Sequence, residues 1–229
     1  MYPTMRPIAD TGVLVEFGDR IDDDIHALVL AMDRAVHAAD LFGVTELIPT
    51  YASLYVGYDV LQVEYATLAA QLQTMLGQGG ADTAQGKHWK IPVCYDGDFA
   101  PDLAELATQL GQSEEFVITQ HTSGTYKVYM YGFAPGYAYL GGVPPAIQHP
   151  RKPTPVMGVP PNAVMITGSQ ALISTVTMPS GWWVIGRSAV NPLRGLNDDP
   201  FLFDVSSTIG FLRTFSYTHL PSHESARHL

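Results

Sequence analysis

Residues 132–161 read GFAPGYAYLGGVPPAIQHPRKPTPVMGVPP, and the interpretation of the whole chain depends on this stretch. Eight of its thirty residues are proline and five are glycine. That density disfavours both a helix and a central strand, because proline removes a backbone donor and glycine is entropically costly to order. The stretch is nevertheless too rich in aromatic and aliphatic side chains for a solvated tether. It is therefore predicted to be a long, stiff loop without regular structure, a kind of segment that usually carries a function.

The charges around this loop are unevenly distributed. The net charge of −10 argues against non-specific binding of nucleic acid. Between Phe116 and Asn197 there is no Asp or Glu, whereas the same span contains the cations Lys127, Arg151, Lys152, Arg187 and Arg194. Such an asymmetry can place a positive pocket in a negative protein, which favours a small anion or an acidic partner surface. An equally good explanation is that acidic residues are scarce in sequence rich in strands and loops.

Composition narrows the class of protein further. No apolar run approaches the roughly 20 residues that span a bilayer, and the first residues lack the apolar segment of a signal peptide. Cys94 is the single cysteine, so neither a disulfide framework nor a thiolate metal cluster is predicted. The eight histidines show no metal-binding spacing, and no metal site is predicted. A cytoplasmic protein without membrane contact is expected.

Residues 1–86 are predicted to form a small α+β domain of order β-α-β-β-α. Its predicted elements are a strand at 11–17, a helix opened by Asp22–Asp24, strands at 44–49 and 53–58, and a second amphipathic helix. The predicted buried stripe of the first helix consists of Ile25, Leu28, Val29, Met32 and Val36. The segment at 77–86 contains four glycines and is predicted to be an interdomain linker or a mobile loop.

Residues 87–229 are predicted to form a second, mostly-β domain. Its predicted helices lie at 102–110 and 113–122, with Ser113 as an N-cap. Many short strands separated by turn residues are typical of a sandwich or barrel. They are predicted at 90–95, 125–131, 163–167, 171–177, 182–185, 201–205 and 211–217.

Four candidate functional residues stand out from these patterns. Arg151 lies between Pro150 and the Lys152–Pro153 pair, so its planar fork would be presented to a carboxylate or phosphate on a stiff backbone. A solvated loop explains that pattern equally well. Gln170 could recognise an amide, although Gly168–Ser169–Gln170 also suits a hairpin turn. Arg187 follows a strand and could point into a cavity. His121 ends a helix, where interaction with the helix dipole is favoured over a role as proton carrier.

Six segments carry a resemblance to a known family: LVEFGDRID, LIPTYASLYVGYD, IPVCYDGDFAPDLAELA, HTSGTYKVYMYGFAPGYAYLGGVPP, HPRKPTPVMGVPPNAVMITGSQ and PSGWWVIGRS. Through them the chain resembles, over nearly its whole length, the carboxyltransferase subdomain C/D family. That family is also called the KipI or allophanate hydrolase subunit 1 family, and it includes the B subunit of bacterial 5-oxoprolinase. The resemblance implies an α+β N-terminal domain followed by a cyclophilin-like β-barrel.

The resemblance also implies a function within a complex. It implies a subunit of an ATP-dependent 5-oxoprolinase that opens 5-oxoproline to glutamate and is inactive alone. The implied partners are a subdomain A/B protein, similar to the C subunit of 5-oxoprolinase, and a third protein similar to the A subunit of that enzyme. No covalently bound cofactor is expected, and the complex would use ATP. The alternatives are a histidine-kinase inhibitor and the carboxyltransferase module of a urea carboxylase or allophanate hydrolase system, which would depend on biotin carried by other chains.

The resemblance further implies roles for residues at positions that match the family's motifs. His121 and Arg187 are the implied catalytic residues, and the implied substrate-binding residues are Tyr137, Tyr139, Arg151, Gln170 and Arg187. The implied structural residues of the loops are Pro135, Gly136, Gly168, Gly181 and Trp182. The chain departs from the family pattern at Tyr137 in place of Phe, at Ala171–Leu172 in place of Thr-Gly, and at Ser206–Ser207–Thr208 in place of a Gly-Asp turn. These departures bear on the identity of the substrate.

Overall fold

A computed structural model describes residues 2–77, 86–195 and 200–215. The chain divides into two compact units, a first unit of residues 1–84 and a second unit of residues 85–229. Most of the predicted linker, residues 78–85, lies outside the described residues, as do the last two positions of the strand predicted at 211–217. Within the described residues, no helix has the length and apolarity needed to cross a membrane.

The first unit is an antiparallel sheet with two helices. Its elements are β1 (Thr4–Ile8), β2 (Gly12–Glu16), α1 (Asp23–Ala39), β3 (Val44–Pro49), β4 (Ser53–Tyr58) and α2 (Tyr65–Met75). The four strands are ordered β1-β2-β4-β3. Strand β1 was not predicted, because its sequence TMRPI contains a proline and few apolar residues. It lies at the edge of the sheet, where a proline is tolerated.

Helix α1 begins where its acidic residues predict. The Asp22 carboxylate accepts hydrogen bonds from the N–H groups of Asp24 and Ile25, which makes Asp22 the N-cap. The buried face contains Val29, Met32 and Val36, as predicted. The prediction that Leu28 is buried is wrong, since 48% of this residue is exposed. Successive residues of a helix are 100° apart, and a face centred on Val29 and Val36 turns Leu28 towards solvent.

The second unit contains a closed barrel of seven strands, so the prediction of a mostly-β barrel is confirmed at this level. The barrel strands are β5 (His88–Cys94), β6 (Tyr126–Tyr131), β7 (Ala138–Gly141), β9 (Ala163–Thr167), β10 (Gln170–Ile173), β12 (Trp183–Ser188) and β13 (Thr208–Thr214). Their order around the barrel is β10-β7-β6-β13-β5-β12-β9, and neighbouring strands are antiparallel except β13 and β5. The unit also contains helices α3 (Leu103–Leu110) and α4 (Glu114–Ser123) and a separate pair of strands, β8 (Val156–Val159) and β11 (Met178–Ser180).

The prediction that residues 132–161 lack regular structure is wrong. Strand β7 lies inside this stretch and is hydrogen-bonded in the barrel between β6 and β10. Strand β8 also lies inside it and pairs with β11. The eight prolines all fall outside these two strands, so the ladders lose no backbone donor. The prediction of a strand at 201–205 is wrong: within this segment only Phe201 is paired, in an isolated bridge with Leu193.

Alternation along three barrel strands produces two apolar layers. Val164, Ile166 and Ile185 belong to the main core of the second unit. Their chain neighbours Ala163, Met165 and Val184 point to the opposite face and belong to an outer cluster. The other members of this cluster are Tyr137, Val159, Leu172, Met178 and Trp182. The two adjacent tryptophans are therefore buried in different layers, Trp183 in the main core and Trp182 in the outer cluster.

Candidate functional site

Arg187 lies on strand β12 at the wall of a cavity. In the barrel it is paired with Cys94 on β5 and with Ala163 on β9. The cavity has a volume of about 310 Å³ and is lined by Cys94, Phe99, Asn162, Arg187, Ser188, Ala189 and Phe215. A second cavity of about 230 Å³ shares Phe99 and Arg187 with the first. The expectation that Arg187 points into a cavity therefore agrees with its position.

The guanidinium of Arg187 has spare hydrogen-bonding capacity. Its Nη2 donates one long bond, 3.4 Å, to the carbonyl oxygen of Pro161. Its Cζ lies 5.8 Å from the centre of the Phe99 ring, in cation–π geometry. Among the described residues, none of the ion pairs within 4.0 Å involves Arg187. A guanidinium carries five N–H donors, so the side chain retains donors for an anionic ligand.

Asn162 faces the same cavity and was not predicted from the sequence. Its backbone has a φ of +66°, in the left-handed region that asparagine tolerates better than most residues. Its side-chain Oδ1 is buried and has no hydrogen-bond partner in the described parts of the chain. The signal in the sequence is faint: an asparagine follows Pro160 and Pro161 directly before an apolar strand.

A second group of predicted residues meets at an aromatic patch on the outer cluster, formed by Tyr137, Tyr139, Arg151, Gly181 and Trp182. The ring centres of Tyr139 lie 5.2 Å from Tyr137 and 6.0 Å from Trp182. Burial raises the pKa of Tyr139, and the nearby Arg151 partly offsets that rise. A Cβ at Gly181 would lie 3.2 Å from Nε and Nη2 of Arg151, so the glycine leaves room for the guanidinium to pass close to the backbone.

The residues on either side of Arg151 are held by hydrogen bonds. The indole N–H of Trp183 donates to the carbonyl of Pro150 at 2.7 Å. The backbone N–H of Lys152 donates to the Gly181 carbonyl at 2.7 Å. The Lys152 ammonium donates to Asp102 Oδ2 at 2.6 Å. Because both neighbours are fixed, the backbone that carries Arg151 is held in place while its own side chain stays exposed.

Asp102 is the centre of this anchoring and is a second residue that was not predicted from the sequence. Its Oδ2 also accepts the backbone N–H of Val184 at 2.7 Å, and its own N–H donates to the Val184 carbonyl at 3.1 Å. The exposed fractions of the Lys152 and Asp102 side chains are 9% and 14%, so the ion pair is largely shielded from water. We call the two residues the Asp102–Lys152 clamp. It joins the start of α3 to β12 and to the segment around Arg151.

His121 lies in the main core, away from both of these places. It is fully buried, its ring is stacked on Phe211 at 4.5 Å, and its Nδ1 lies 2.7 Å from the Tyr95 hydroxyl. Burial lowers the pKa of His121 from 6.5 to about 3, so the ring is neutral at pH 7. It does not line either cavity at Arg187. A proton carrier must reach the substrate or solvent, so this position favours a structural role, and the catalytic role implied for His121 stays a prediction.

The remaining predicted residues shape turns. Gly168 has a φ of +49° between β9 and β10, and its N–H donates to the carbonyl of His149 at 2.8 Å. Gln170 opens β10 opposite Thr167 and is not among the residues that line the cavities at Arg187. The Pro135 carbonyl accepts the Thr175 hydroxyl at 2.7 Å, and the next residue, Gly136, has a φ of +71°. The binding role implied for Gln170 stays a prediction.

Comparison with known proteins identifies the class to which this fold and these residues belong. The family model for the carboxyltransferase domain, subdomain C and D, matches residues 3–203. The chain therefore belongs to the carboxyltransferase subdomain C/D family.

Particular relatives share much of the sequence. The chain is 32% identical over 220 residues to the B subunit of 5-oxoprolinase from Bacillus subtilis, and the match covers 91% of this chain and 92% of that protein. It is 33% identical over 142 residues to the B subunit of 5-oxoprolinase from Escherichia coli O157:H7, with 62% and 65% covered.

Two solved structures share the fold. The crystal structure of TTHA0988 has a TM-score of 0.78 and 33% identity over 92% of this chain. The urea amidolyase of K. lactis has a TM-score of 0.79 over 92% of this chain, but its identity of 16% establishes likeness of fold alone. The chain spans 40% of TTHA0988 and 15% of the amidolyase.

Proposed function

We propose that this protein is a subunit of an ATP-dependent 5-oxoprolinase complex and that it binds the carboxylate of 5-oxoproline at Arg187. The observation that carries the proposal is the half-buried guanidinium at the cavity wall, which has no carboxylate partner among the described residues. Relatives that are B subunits of 5-oxoprolinase supply the reaction. A cavity of about 310 Å³ is at the small end of the range for ligand sites and suits one compact acid.

The proposed contribution of Arg187 is binding and orientation. A guanidinium meets a carboxylate through two parallel N–H···O bonds, which fix the direction of the substrate as well as its position. The absence of acidic residues between Phe116 and Asn197 keeps competing carboxylates of this segment away from the site. Ring opening adds water across the lactam C–N bond and yields glutamate, and the nucleotide consumed by the complex would drive it.

The other groups needed for the reaction are proposed to come from partner chains. A subdomain A/B protein and a third subunit would complete the enzyme, as the resemblance to the family implies. Arg151 is exposed on a fixed backbone, and it is proposed to contact phosphoryl oxygens or an acidic surface of a partner. The chain alone is expected to bind substrate without turning it over.

Reconstitution tests this proposal. The chain, a subdomain A/B protein and a third subunit are co-purified, and ATP-dependent release of glutamate from 5-oxoproline is measured. Arg187→Gln is expected to lower kcat/KM by at least about tenfold, because a charge-assisted bidentate contact contributes roughly 1.5–3 kcal/mol. Arg20→Gln is the matched control, since the Arg20 side chain is 70% exposed and belongs to the first unit. An inactive complete complex, or an Arg187→Gln complex as active as the Arg20→Gln complex, would contradict the proposal.

A further inference from the structure

Two cavities of the second unit meet at the side chains of Phe99 and Arg187. The first cavity, of about 310 Å³, and the second, of about 230 Å³, share these two lining residues and no others. The Phe99 ring lies 5.8 Å from the Arg187 Cζ, in cation–π geometry. Residues that line both cavities lie on the boundary between them. The ring and the guanidinium therefore form a partition with a cavity on each side.

Phe99 is positioned by its turn rather than by the packing of a core. It is the last residue of a single turn of 3₁₀-helix, Gly97–Phe99, and its N–H donates to the carbonyl of Asp96 at 3.0 Å. The residue is 37% exposed and belongs to neither the main core nor the outer cluster of described residues. A ring at this position is therefore not required by either cluster, and it borders the two cavities instead.

The second cavity has a mostly apolar lining. All four residues of β8 contribute to it, and two of them, Val156 and Met157, are 47% and 77% exposed. Asp98 also lines the cavity, and its carboxylate disfavours a second anionic group there. The Oδ2 of Asp102, the other acidic residue in the lining, already accepts two hydrogen bonds within the chain. The cavity therefore suits an apolar group, whose transfer out of water is favourable.

We propose that Phe99 sets the largest acid that the site at Arg187 accepts. With the ring in place, an acid held by the guanidinium is confined to the first cavity. Without the ring, a bulky apolar substituent of the acid enters the second cavity while the carboxylate keeps the same guanidinium. The use of 5-oxoproline as the reference acid rests on the proposed function. The size limit itself rests on the position of the ring at the boundary of the two cavities.

The test compares 5-oxoproline with a derivative that carries a bulky apolar group. 5-Oxoproline and 1-(naphthalen-1-ylmethyl)-5-oxoproline are titrated by calorimetry into the chain and into the assembled complex. The unsubstituted chain is expected to bind 5-oxoproline at least about tenfold more tightly, because the bicyclic group is too large for a cavity at the small end of the range for ligand sites. In Phe99→Ala that preference is expected to fall by about tenfold or more. The derivative lacks the lactam N–H in both titrations, so this difference cancels between the two proteins.

Three further variants sharpen the comparison. Phe99→Leu keeps a smaller apolar side chain at the boundary, so its preference should lie between those of the unsubstituted chain and Phe99→Ala. Adding Met157→Asp to Phe99→Ala places a charge on the apolar wall of the second cavity and should remove the gain in affinity for the derivative. Phe42→Ala is the matched control, because Phe42 is 71% exposed, belongs to the first unit and lines neither cavity. Its preference should equal that of the unsubstituted chain.

A purely positioning role for Phe99 would give a different result. If the ring only held the Arg187 guanidinium in place, Phe99→Ala would weaken the binding of both acids by the same factor and leave the preference unchanged. That result overturns the proposal. Equal affinity of the unsubstituted chain for the two acids also overturns it, as does a gain in Phe99→Ala that survives Met157→Asp. Absence of binding by both acids in the chain and in the complex overturns it as well.

The outcomes separate this inference from the proposed function, because the release of glutamate by the complex is measured independently. If the complex releases no glutamate but the preference is present and falls in Phe99→Ala, the inference holds and the proposed function fails. If the complex releases glutamate but the preference is the same in Phe99→Ala and Phe42→Ala, the proposed function holds and the inference fails.

Discussion

His121 couples the stability of the second unit to pH. Its pKa is about 3 in the folded chain and 6.5 in the absence of burial. Above pH 6.5 the ring is neutral in both states. As the pH falls from 6.5 towards 3, the unfolded chain takes up a proton that the folded chain cannot accept, so stability decreases. The contribution of this one group is about 1.4 kcal/mol per pH unit inside that window.

This contribution is measured by comparing how the free energy of unfolding depends on pH in the unsubstituted chain and in a variant without His121. His121→Phe keeps an aromatic ring against Phe211 but removes the titrating group, so its free energy of unfolding should fall less steeply between pH 6.5 and 4.5. Between pH 6.5 and 4.5, the free energy of unfolding of the unsubstituted chain should therefore fall by about 2–3 kcal/mol more than that of His121→Phe. In His121→Phe the buried hydroxyl of Tyr95 loses its hydrogen-bond partner, which itself destabilises the chain. The double variant His121→Phe with Tyr95→Phe removes that hydroxyl and is the control for this effect. Urea denaturation at several pH values measures the slope, and parallel slopes would assign His121 no such role.

At the residue scale, some positions of the candidate site have a sequence signature and others do not. Arg187 was singled out because it follows the strand predicted at 182–185 within a span that contains no acidic residue, although the structure extends β12 through it. The place of Asn162 in the cavity lining could not be predicted, since it depends on how β9, β10 and β12 come together. Asp102 has the same difficulty. The sequence places it at a helix start, where an aspartate is ordinary, whereas its partners lie 50 and 82 positions away in the chain.

At the scale of elements, the Asp102–Lys152 clamp fixes three segments with one carboxylate. Its Oδ2 accepts from the Lys152 ammonium and from the Val184 N–H. Asp102→Ala is expected to destabilise the chain by about 2–4 kcal/mol, because it removes two hydrogen bonds and leaves a shielded ammonium unpaired. The same change should raise KM in the reconstituted enzyme if Arg151 contacts a ligand, since the backbone before and after Arg151 loses an anchor.

A double-mutant cycle isolates the clamp from its surroundings. Asp102→Ala with Lys152→Met should cost less than the sum of the two single changes by about 1–2 kcal/mol, since the second change no longer breaks an ion pair. Denaturant unfolding of the unsubstituted chain, the two single variants and the double variant gives the three changes in the free energy of unfolding. The exposed pair of Arg213 and Glu115, whose side chains are 33% and 67% exposed, is the matched control and should show a coupling below about 1 kcal/mol. If the changes in the free energy of unfolding at Asp102 and Lys152 are strictly additive, the two residues do not stabilise the chain through their interaction.

Strands were predictable where local pattern and tertiary context agree. The predicted bounds of β3, β4 and β9 match the structure, because each is an apolar run bounded by turn residues or prolines. Strand β7 was missed because the prediction used the composition of all thirty residues, whereas this four-residue strand lies in a proline-free run between Pro135 and Pro144. The strand is stabilised by backbone pairing with β6 on one side and β10 on the other, which the local sequence does not reveal. Conversely, residues 201–205 are apolar enough for a strand but are not paired into the barrel.

At the scale of the whole molecule, each unit has its own apolar core. The core of the first unit is built around Val13, Val29, Val56 and Leu72, and the two clusters of the second unit draw all their members from positions 89–211. None of these clusters of described residues contains members from both units. Since apolar burial is the dominant favourable term in folding, a unit with a complete core holds most of the stabilisation that it needs.

We therefore expect a fragment of residues 85–229 to fold without the first unit. It should unfold cooperatively on heating, retain a near-ultraviolet circular dichroism signal from Trp89, Trp182 and Trp183, and bind 5-oxoproline within about threefold of the full chain, because the lining of the Arg187 cavity belongs wholly to this unit. Binding that persists in the fragment would place recognition of the acid in the barrel alone. A fragment with helical and strand signals but no fixed aromatic environment would instead show that the barrel core needs the first unit to pack.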